Sequence, residues 1–480
     1  MVEAAIMHAL AFDSIVVGGG QAGPSLAARL AGAGMKVALV ERQHLGGTCV
    51  NTGCMPTKAL VANAYAAHLA RRAADYGVMI DGPIRIDFGK VMERARNVTR
   101  TARSNLEAWI GGIDNITLIR GHARFEAPDT LRVDDTLISA PRIFLNVGGR
   151  ATVPDMPGIG EVPYLTNTSL LALEELPRHL MVVGGSYIGL EFAQMFRRFG
   201  SEVTVVERMD RLIPREDEEI SQSIRETLEA EGITVRTHAE CISLATHDGA
   251  PAIGVDCNEG PPEVVGSHIL LAVGRVPNTG DLGLDRAGIE TDARGYIPVD
   301  DCLQTRVPGI WAMGDCNGRG AFTHTAYNDF EIIAANLLDG EDRKVSDRIV
   351  PYALYVDPPL GRVGMTETEA RKTGRSIVVG RRPMTRVGRA IEKGETQGLM
   401  KIVADADSKE ILGAAILGTG GDEAIHAVVE AMNARMTSEA LRWAVPIHPT
   451  VSELIPTVLL DMKSVEPLPA LPDHKPRIPA

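Results

Sequence analysis

A strand, a glycine-rich turn, a helix and a second strand ending in an acid occur twice in this chain, and few folds accept that pattern. The first copy starts at Ser14-Ile-Val-Val17, turns through Gly18-Gly-Gly20-Gln-Ala-Gly23, continues as PSLAARLAGAG and returns along VALV to Glu41. Glycine at 18 permits a tight turn, at 20 lets the backbone approach a pyrophosphate, and at 23 allows close helix–strand packing. The helix N-terminus offers its N–H groups to the anion. Glu41 stands where a carboxylate accepts hydrogen bonds from a ribose diol. The second copy, Leu180 to Glu207, reads LMVVGGSYIGLEFAQMFRRFGSEVTVVE and puts Gly184, Ser186 and Gly189 at the glycine positions. Ser186 replaces the middle glycine, and its small side chain still permits approach of a phosphate. Two bound dinucleotides are therefore expected. Glu207 favours a 2′-hydroxyl over a 2′-phosphate, so if the second unit holds a nicotinamide dinucleotide NADH is expected over NADPH, although Arg208 and Arg211 sit close enough to accommodate the phosphate.

A chain of 480 residues is too long for one core and implies several domains. No apolar run reaches the roughly 20 residues of a membrane-spanning helix. The opening MVEAAIMHALAF carries an acid, has no Lys or Arg and runs straight into a strand pattern, unlike a secretory signal. A cytoplasmic protein is expected. A net charge of −13 argues against nonspecific nucleic-acid binding. Six cysteines are too sparse for a disulfide framework, so a disulfide, if present, is expected to be catalytic.

Cys49 and Cys54 lie in GGTCVNTGCMPTK, residues 46–58. On an undistorted helix they would be roughly 7.5 Å apart along the axis alone, beyond the approximately 4.4–6.8 Å Cα separation of a disulfide. Gly53 can relax the backbone between them and Pro56 can serve early in a helix, so a bent segment would let the sulfurs meet. Two unrelated buried thiols are the alternative.

This segment resembles the redox-active disulfide of the flavoprotein disulfide reductases, the class I pyridine nucleotide-disulfide oxidoreductases that include dihydrolipoamide dehydrogenase, glutathione reductase and mercuric reductase. The likeness runs from about residue 12 to about residue 460. It implies FAD in the first glycine unit, with Gly47 and Thr48 against it, and the nicotinamide dinucleotide in the second. It implies that Cys54 is the flavin-proximal thiolate and Cys49 the interchange thiol that attacks the substrate. Lys58 resembles the family lysine near the flavin, paired with Glu191. Tyr187 resembles an aromatic lid that the nicotinamide displaces. WAMGD, residues 311–315, resembles the second FAD motif, with Gly314 ending a strand and Asp315 holding the ribityl chain. Gly274, in ILLAVGRVPN, sits at the turn where the chain leaves the nicotinamide domain, and FLNVG, residues 144–148, is its outgoing counterpart.

Thiol exchange needs an acid–base partner near neutrality. His-Pro-Thr-Val-Ser-Glu at 448–453 resembles the family element in which His448 is the base, Glu453 orients it, and the pair reaches the disulfide of a partner subunit. A homodimer follows. The body, as in YALYVDPPLGRVGMTETEA, looks closest to the mercuric-reductase-like branch, yet the tail lacks that branch's terminal cysteine pair. Cys241, Cys257, Cys302 and Cys316 show no metal-ligand spacing, and no metal site is assigned.

The expected fold class is α/β: two Rossmann-like dinucleotide-binding domains, for FAD and NAD(P), plus a C-terminal α+β dimerisation domain. Residues 1–150 and 276–346 form the two FAD-domain segments, 151–275 the nicotinamide domain, 347–463 the interface domain and 464–480 a loosely docked proline-rich tail. The expected activity passes electrons from NAD(P)H through FAD to Cys49 and Cys54 and on to a small disulfide. The alternative is a metal-ion or quinone reductase using the same dithiol. A nonenzymatic flavin sensor is disfavoured by the complete cysteine, lysine and histidine set.

Overall fold

The computed structural model describes residues 9–256 and 260–466. The expectations for the opening eight residues, for Cys257, for the Cys241 side chain and for the tail past residue 466 lie outside the described residues.

The first glycine unit builds a five-stranded parallel sheet in the order Ile310–Ala312, Ile143–Leu145, Ser14–Val17, Val37–Glu41, Ile116–Arg120. Ser14–Val17 and Val37–Glu41 are buried along their whole length, as β-branched strands with both faces covered should be. Leu26 and Leu30 of the Ala22–Gly32 helix pack with Ile332 and Ile333 of the Thr323–Leu338 helix, so two segments far apart in sequence cover one sheet.

The second unit builds a four-stranded parallel sheet, Thr234–Arg236, Glu202–Val206, His179–Val183, His268–Leu271. The chain leaves the first sheet through Gly149–Ala151 and returns through Arg275–Pro277, and these strands pair antiparallel side by side. Residues 351–465 form a six-stranded antiparallel sheet, Pro351–Leu354, Leu360–Gly364, Ile411–Leu417, Leu399–Asp405, Ile377–Pro383, Lys463–Val465. Val428, Ile455 and Val458 close one of its faces over Met400 and Ile402. The architecture is the expected one, with two Rossmann-like units followed by an α+β unit.

One core joins all three parts. Leu60 and Ala64 of the Cys54–Arg71 helix pack with Phe192 and Phe196 of the Tyr187–Phe199 helix and with Leu354 and Leu360 of the C-terminal sheet. Fully burying a side chain such as Leu60 or Phe196 contributes about 1.5–3 kcal/mol, so the cysteine helix is firmly seated against both neighbours. Among the described residues no helix is long and apolar enough to cross a membrane.

Candidate active site

The two glycine turns have the same internal construction. Gly18 has φ +108° and Gly184 has φ +113°, and a Cβ there would lie 2.2 Å from Asn146 O or 2.4 Å from Ala272 O, each just past the end of the adjoining strand. A Cβ on Gly23 would stand 2.1 Å from Gly18 O, and one on Gly189 2.1 Å from Gly184 O. The closing acids bind back onto their turns. Glu41 accepts from Gly19 N–H at 2.7 Å and Gln43 N–H at 2.7 Å, and Glu207 accepts from Gly185 N–H at 2.6 Å and Met209 N–H at 2.7 Å. Ser186 is extended, with φ −113° and ψ −172°, so its side chain costs no backbone strain. Arg208 is exposed, and Arg211 donates to Pro214 O at 3.3 Å.

A cavity of about 460 Å³ starts at the first turn and ends at the cysteines. Gly18, Gly20 and Glu41 line it together with Gly314 and Asp315 and with Thr48, Cys49, Cys54, Lys58 and Glu191. Gly20 presents only hydrogen toward it, where a Cβ would come within 3.2 Å of Asn146 Nδ2. A cavity that joins a backbone cradle to a dithiol fits FAD, which Gly18, Gly20 and Glu41 would hold on the cradle side. Burial pushes the Asp315 carboxyl up, opposed by the Arg275 guanidinium 3.6 Å away.

The cysteine segment is bent where its sequence requires. Gly47–Thr52 is one short helix and Cys54–Arg71 another, separated by Gly53 at φ −136° and ψ −121°. Pro56 lies in the first turn of the second helix, where its missing N–H leaves no bond unmade. Gly46 N–H donates to Gly19 O at 2.7 Å, tying the segment to the first glycine turn. Both cysteines are free thiols here.

Their electrostatics differ. Cys54 is drawn down to about 6, first by the hydrogen bond from Cys49, then by Thr323 and the Lys58 cation, against the opposing effect of burial. Cys49 is pushed up, first by that same hydrogen bond and then by burial. These opposite shifts favour ionisation of Cys54 over Cys49. Thr323 Oγ1 lies 3.3 Å from Cys54 Sγ. Lys58 Nζ reaches Glu191 Oε2 at 2.6 Å and stands 4.5 Å from the centre of the Tyr355 ring, whose backbone N–H donates to Glu191 Oε1.

Other candidates lie elsewhere. Tyr187 does not line the cavity, although Ile188 and Glu191 beside it do. Gly184, Ser186, Gly189, Glu207 and Gly274 lie in the turns and helix around the second sheet and border none of the cavity. His448 Nδ1 is 2.9 Å from Glu453 Oε2, but neither residue borders the cavity of its own chain, and the His448 side chain is 81% exposed. Trp443, Val445 and Ile447 just before it are also exposed. Thr323 and Arg275 were not marked as site residues by the sequence. Arg275 stands within the quoted run after Gly274, but nothing local places Thr323 against Cys54. Among the described residues no three His, Cys, Asp or Glu side chains converge as a metal site.

Two dinucleotide folds, a dithiol at the end of the first one's cavity and a C-terminal antiparallel sheet define a flavoprotein disulfide reductase. The family model described as pyridine nucleotide-disulphide oxidoreductase matches residues 12–329 and that of its dimerisation domain matches residues 350–459; the chain belongs to this family of enzymes. It is 36% identical over 450 residues to the probable pyridine nucleotide-disulfide oxidoreductase RclA of Escherichia coli (strain K12), spanning 92% of this chain and 97% of that protein. It is 33% identical over 444 residues to a mercuric reductase of Bacillus cereus, spanning 92% and 70%, and 33% identical to a dihydrolipoyl dehydrogenase of Thermus scotoductus, spanning 92% and 95%. The solved structure of the HOCl-induced flavoprotein disulfide reductase RclA from Escherichia coli matches with a TM-score of 0.85 at 35% identity, over 93% of this chain and 99% of that one. A Cu(II) complex of the same protein matches with a TM-score of 0.85 at 34% identity, over 94% and 99%. The family is one of flavoproteins that use a pyridine nucleotide.

Proposed function

We propose that this enzyme moves two electrons from NADH to the Cys49/Cys54 pair and from there to a small disulfide. The observation that carries the reading is that Cys49 and Cys54 line the same cavity as Lys58 and Glu191, with Thr323 Oγ1 3.3 Å from Cys54 Sγ. Bound in this cavity, FAD would supply the relay between a two-electron hydride donor and the sulfur pair. In the resting oxidised enzyme Cys49 and Cys54 form a disulfide; one hydride from NADH and one proton convert it to two thiol equivalents, of which Cys54 stays ionised beside Lys58 and Thr323. Cys49 then loses its proton and attacks a substrate sulfur. One thiolate leaves, and Cys54 displaces the second as the internal disulfide re-forms.

Because burial and Cys54 hold Cys49 as a thiol, exchange needs a base, and only a thiolate is nucleophilic. His448, oriented by Glu453, is that base. Its distance from its own chain's cavity and the exposed apolar run 443–447 support a homodimer in which it serves the partner's dithiol. NADH is favoured because Glu207 presents a carboxylate at the second turn, where it would oppose a 2′-phosphate.

A second reading has support from a specific observation, the Cu(II) complex of RclA: the same dithiol reduces a soft metal ion. The two are separated by reducing the holoenzyme anaerobically with NADH, counting titratable thiols, and assaying disulfide and Cu(II) reduction in wild type, Cys54→Ala and His448→Ala. Two new thiols in wild type and none in Cys54→Ala are expected, with disulfide turnover in His448→Ala lower by about 10²–10⁴-fold, the range for a lost acid–base catalyst. No new thiols would refute both readings. Cu(II) reduction at the wild-type rate in His448→Ala, with no disulfide turnover in any protein, would favour the metal reductase.

A further inference from the structure

The buried Glu216 has no part in the dithiol chemistry, yet it joins the second nucleotide unit to the C-terminal sheet. Its Oε1 accepts the Tyr352 hydroxyl at 2.5 Å and lies 3.5 Å from the Tyr187 hydroxyl. Its Oε2 lies 3.3 Å from Nε of the equally buried Arg362. The next residue, Asp217, accepts from Lys401 Nζ at 2.8 Å and from the Thr368 hydroxyl at 3.1 Å. Glu216 is thus a fixed acceptor, rooted from two sides in the C-terminal sheet.

Around it runs a row of rings. Tyr187 meets Tyr352 edge-on at 5.6 Å, Tyr352 stacks on Phe322 at 5.6 Å, and Phe322 lines the cavity next to Thr323, the residue in contact with Cys54. Tyr187 itself opens the helix after the second glycine turn, between Ser186 and the cavity-lining Ile188. A rotation of its side chain toward the cavity would break both its contact with Glu216 and its edge contact with Tyr352.

We propose that Glu216 is a catch that holds the Tyr187 ring off the cavity and that Tyr352, which donates to the same oxygen, weakens that hold, so that both are positioning residues for entry of the nicotinamide. The inference rests on the reading of Tyr187 as the residue that covers the flavin between turnovers. Its sharpest consequence follows from the shared acceptor. Tyr352 and Tyr187 share Glu216 Oε1, the shorter bond belongs to Tyr352, and each donor weakens the oxygen as an acceptor for the other. Deleting the Tyr352 hydroxyl leaves a buried carboxylate oxygen with one donor nearby, so Tyr187 is held back more firmly. Deleting the Tyr187 hydroxyl frees the ring to cover the cavity, lowering the fraction of enzyme able to bind nicotinamide and raising the apparent Kd in proportion.

The test uses FAD-loaded Tyr187→Phe, Tyr352→Phe and Tyr187→Ala, none of which removes a member of the buried Glu216–Arg362 pair. Two quantities are read: flavin fluorescence of the oxidised enzyme, which an overlying ring quenches, and the Kd for NADH from anaerobic reduction rates. In Tyr187→Phe fluorescence should fall and Kd rise, by up to about threefold for one modest hydrogen bond. In Tyr352→Phe both should move the other way. Tyr187→Ala should raise fluorescence, because no ring remains. If Tyr187→Ala shifts both readouts but the two phenylalanine variants match wild type, or move in the same direction, the catch is refuted and the lid reading stands. If Tyr187→Ala also leaves both unchanged, Tyr187 is no lid and the catch falls with it.

Discussion

Replacing Thr323 by valine should make Cys54 a weaker acid by about one pH unit. The thiol is drawn down to about 6, and after the Cys49 hydrogen bond the Thr323 hydroxyl is the next cause that lowers it, ahead of the Lys58 cation. Valine keeps the shape of threonine and removes the donor 3.3 Å from Sγ. A hydrogen bond to a charged acceptor contributes about 1.5–3 kcal/mol, and about 1.36 kcal/mol corresponds to one unit. The lower end applies because Cys49 still donates to the same sulfur, so the midpoint should move from about 6 to about 7. The sign is fixed by which form is bonded: the hydroxyl favours the thiolate, so its loss favours the thiol. At pH 7 the ionised fraction should fall from about 90% to about 50%. The assay is iodoacetamide alkylation of the reduced enzyme from pH 5 to 9, with the Cys54 peptide followed by mass spectrometry. Reaction is slow below the midpoint and rises through it. A Thr323→Val midpoint within about 0.3 unit of wild type would show that Thr323 does not stabilise the thiolate and that Cys49 and Lys58 suffice.

The two glycine turns should separate in their effects. Gly23→Ala would put a Cβ 2.1 Å from Gly18 O and should yield protein without bound flavin, seen as loss of visible absorbance, whereas Gly189→Ala, with the same clash at Gly184 O, should keep its flavin and lose reduction by NADH. Flavin loss in Gly189→Ala would show that the assignment of the two dinucleotides is reversed. Glu207→Ser removes the carboxylate that opposes a 2′-phosphate and should raise the NADPH-to-NADH ratio of kcat/KM by about tenfold; an unchanged ratio would place nucleotide choice elsewhere.

Much of this site is legible in short stretches of chain, because the physics that shapes them is local. A glycine with positive φ, a proline in a first turn and a break at Gly53 act within a few residues, so both nucleotide turns, their closing acids and the bend at the cysteines follow from sequence alone. Lys58 and Glu191 are separated by 133 positions, and their pairing was expected only through resemblance; the core of Leu60, Phe192 and Phe196 brings their helices together. Thr323 against Cys54 and Tyr352 against Glu216 carry no local signal at all. Those contacts depend on how the Thr323–Leu338 helix and the C-terminal sheet seat against the first two units. His448 shows the same division in reverse: its motif names a base and its orienting carboxylate, and the structure brings those two together at 2.9 Å while leaving them off their own chain's cavity. The sequence by itself determined which backbone turns and reactive groups exist, since these depend on each residue's own geometry and chemistry. Only the tertiary structure decided which groups meet, because packing among three separate sheets sets distances between residues that the chain holds far apart.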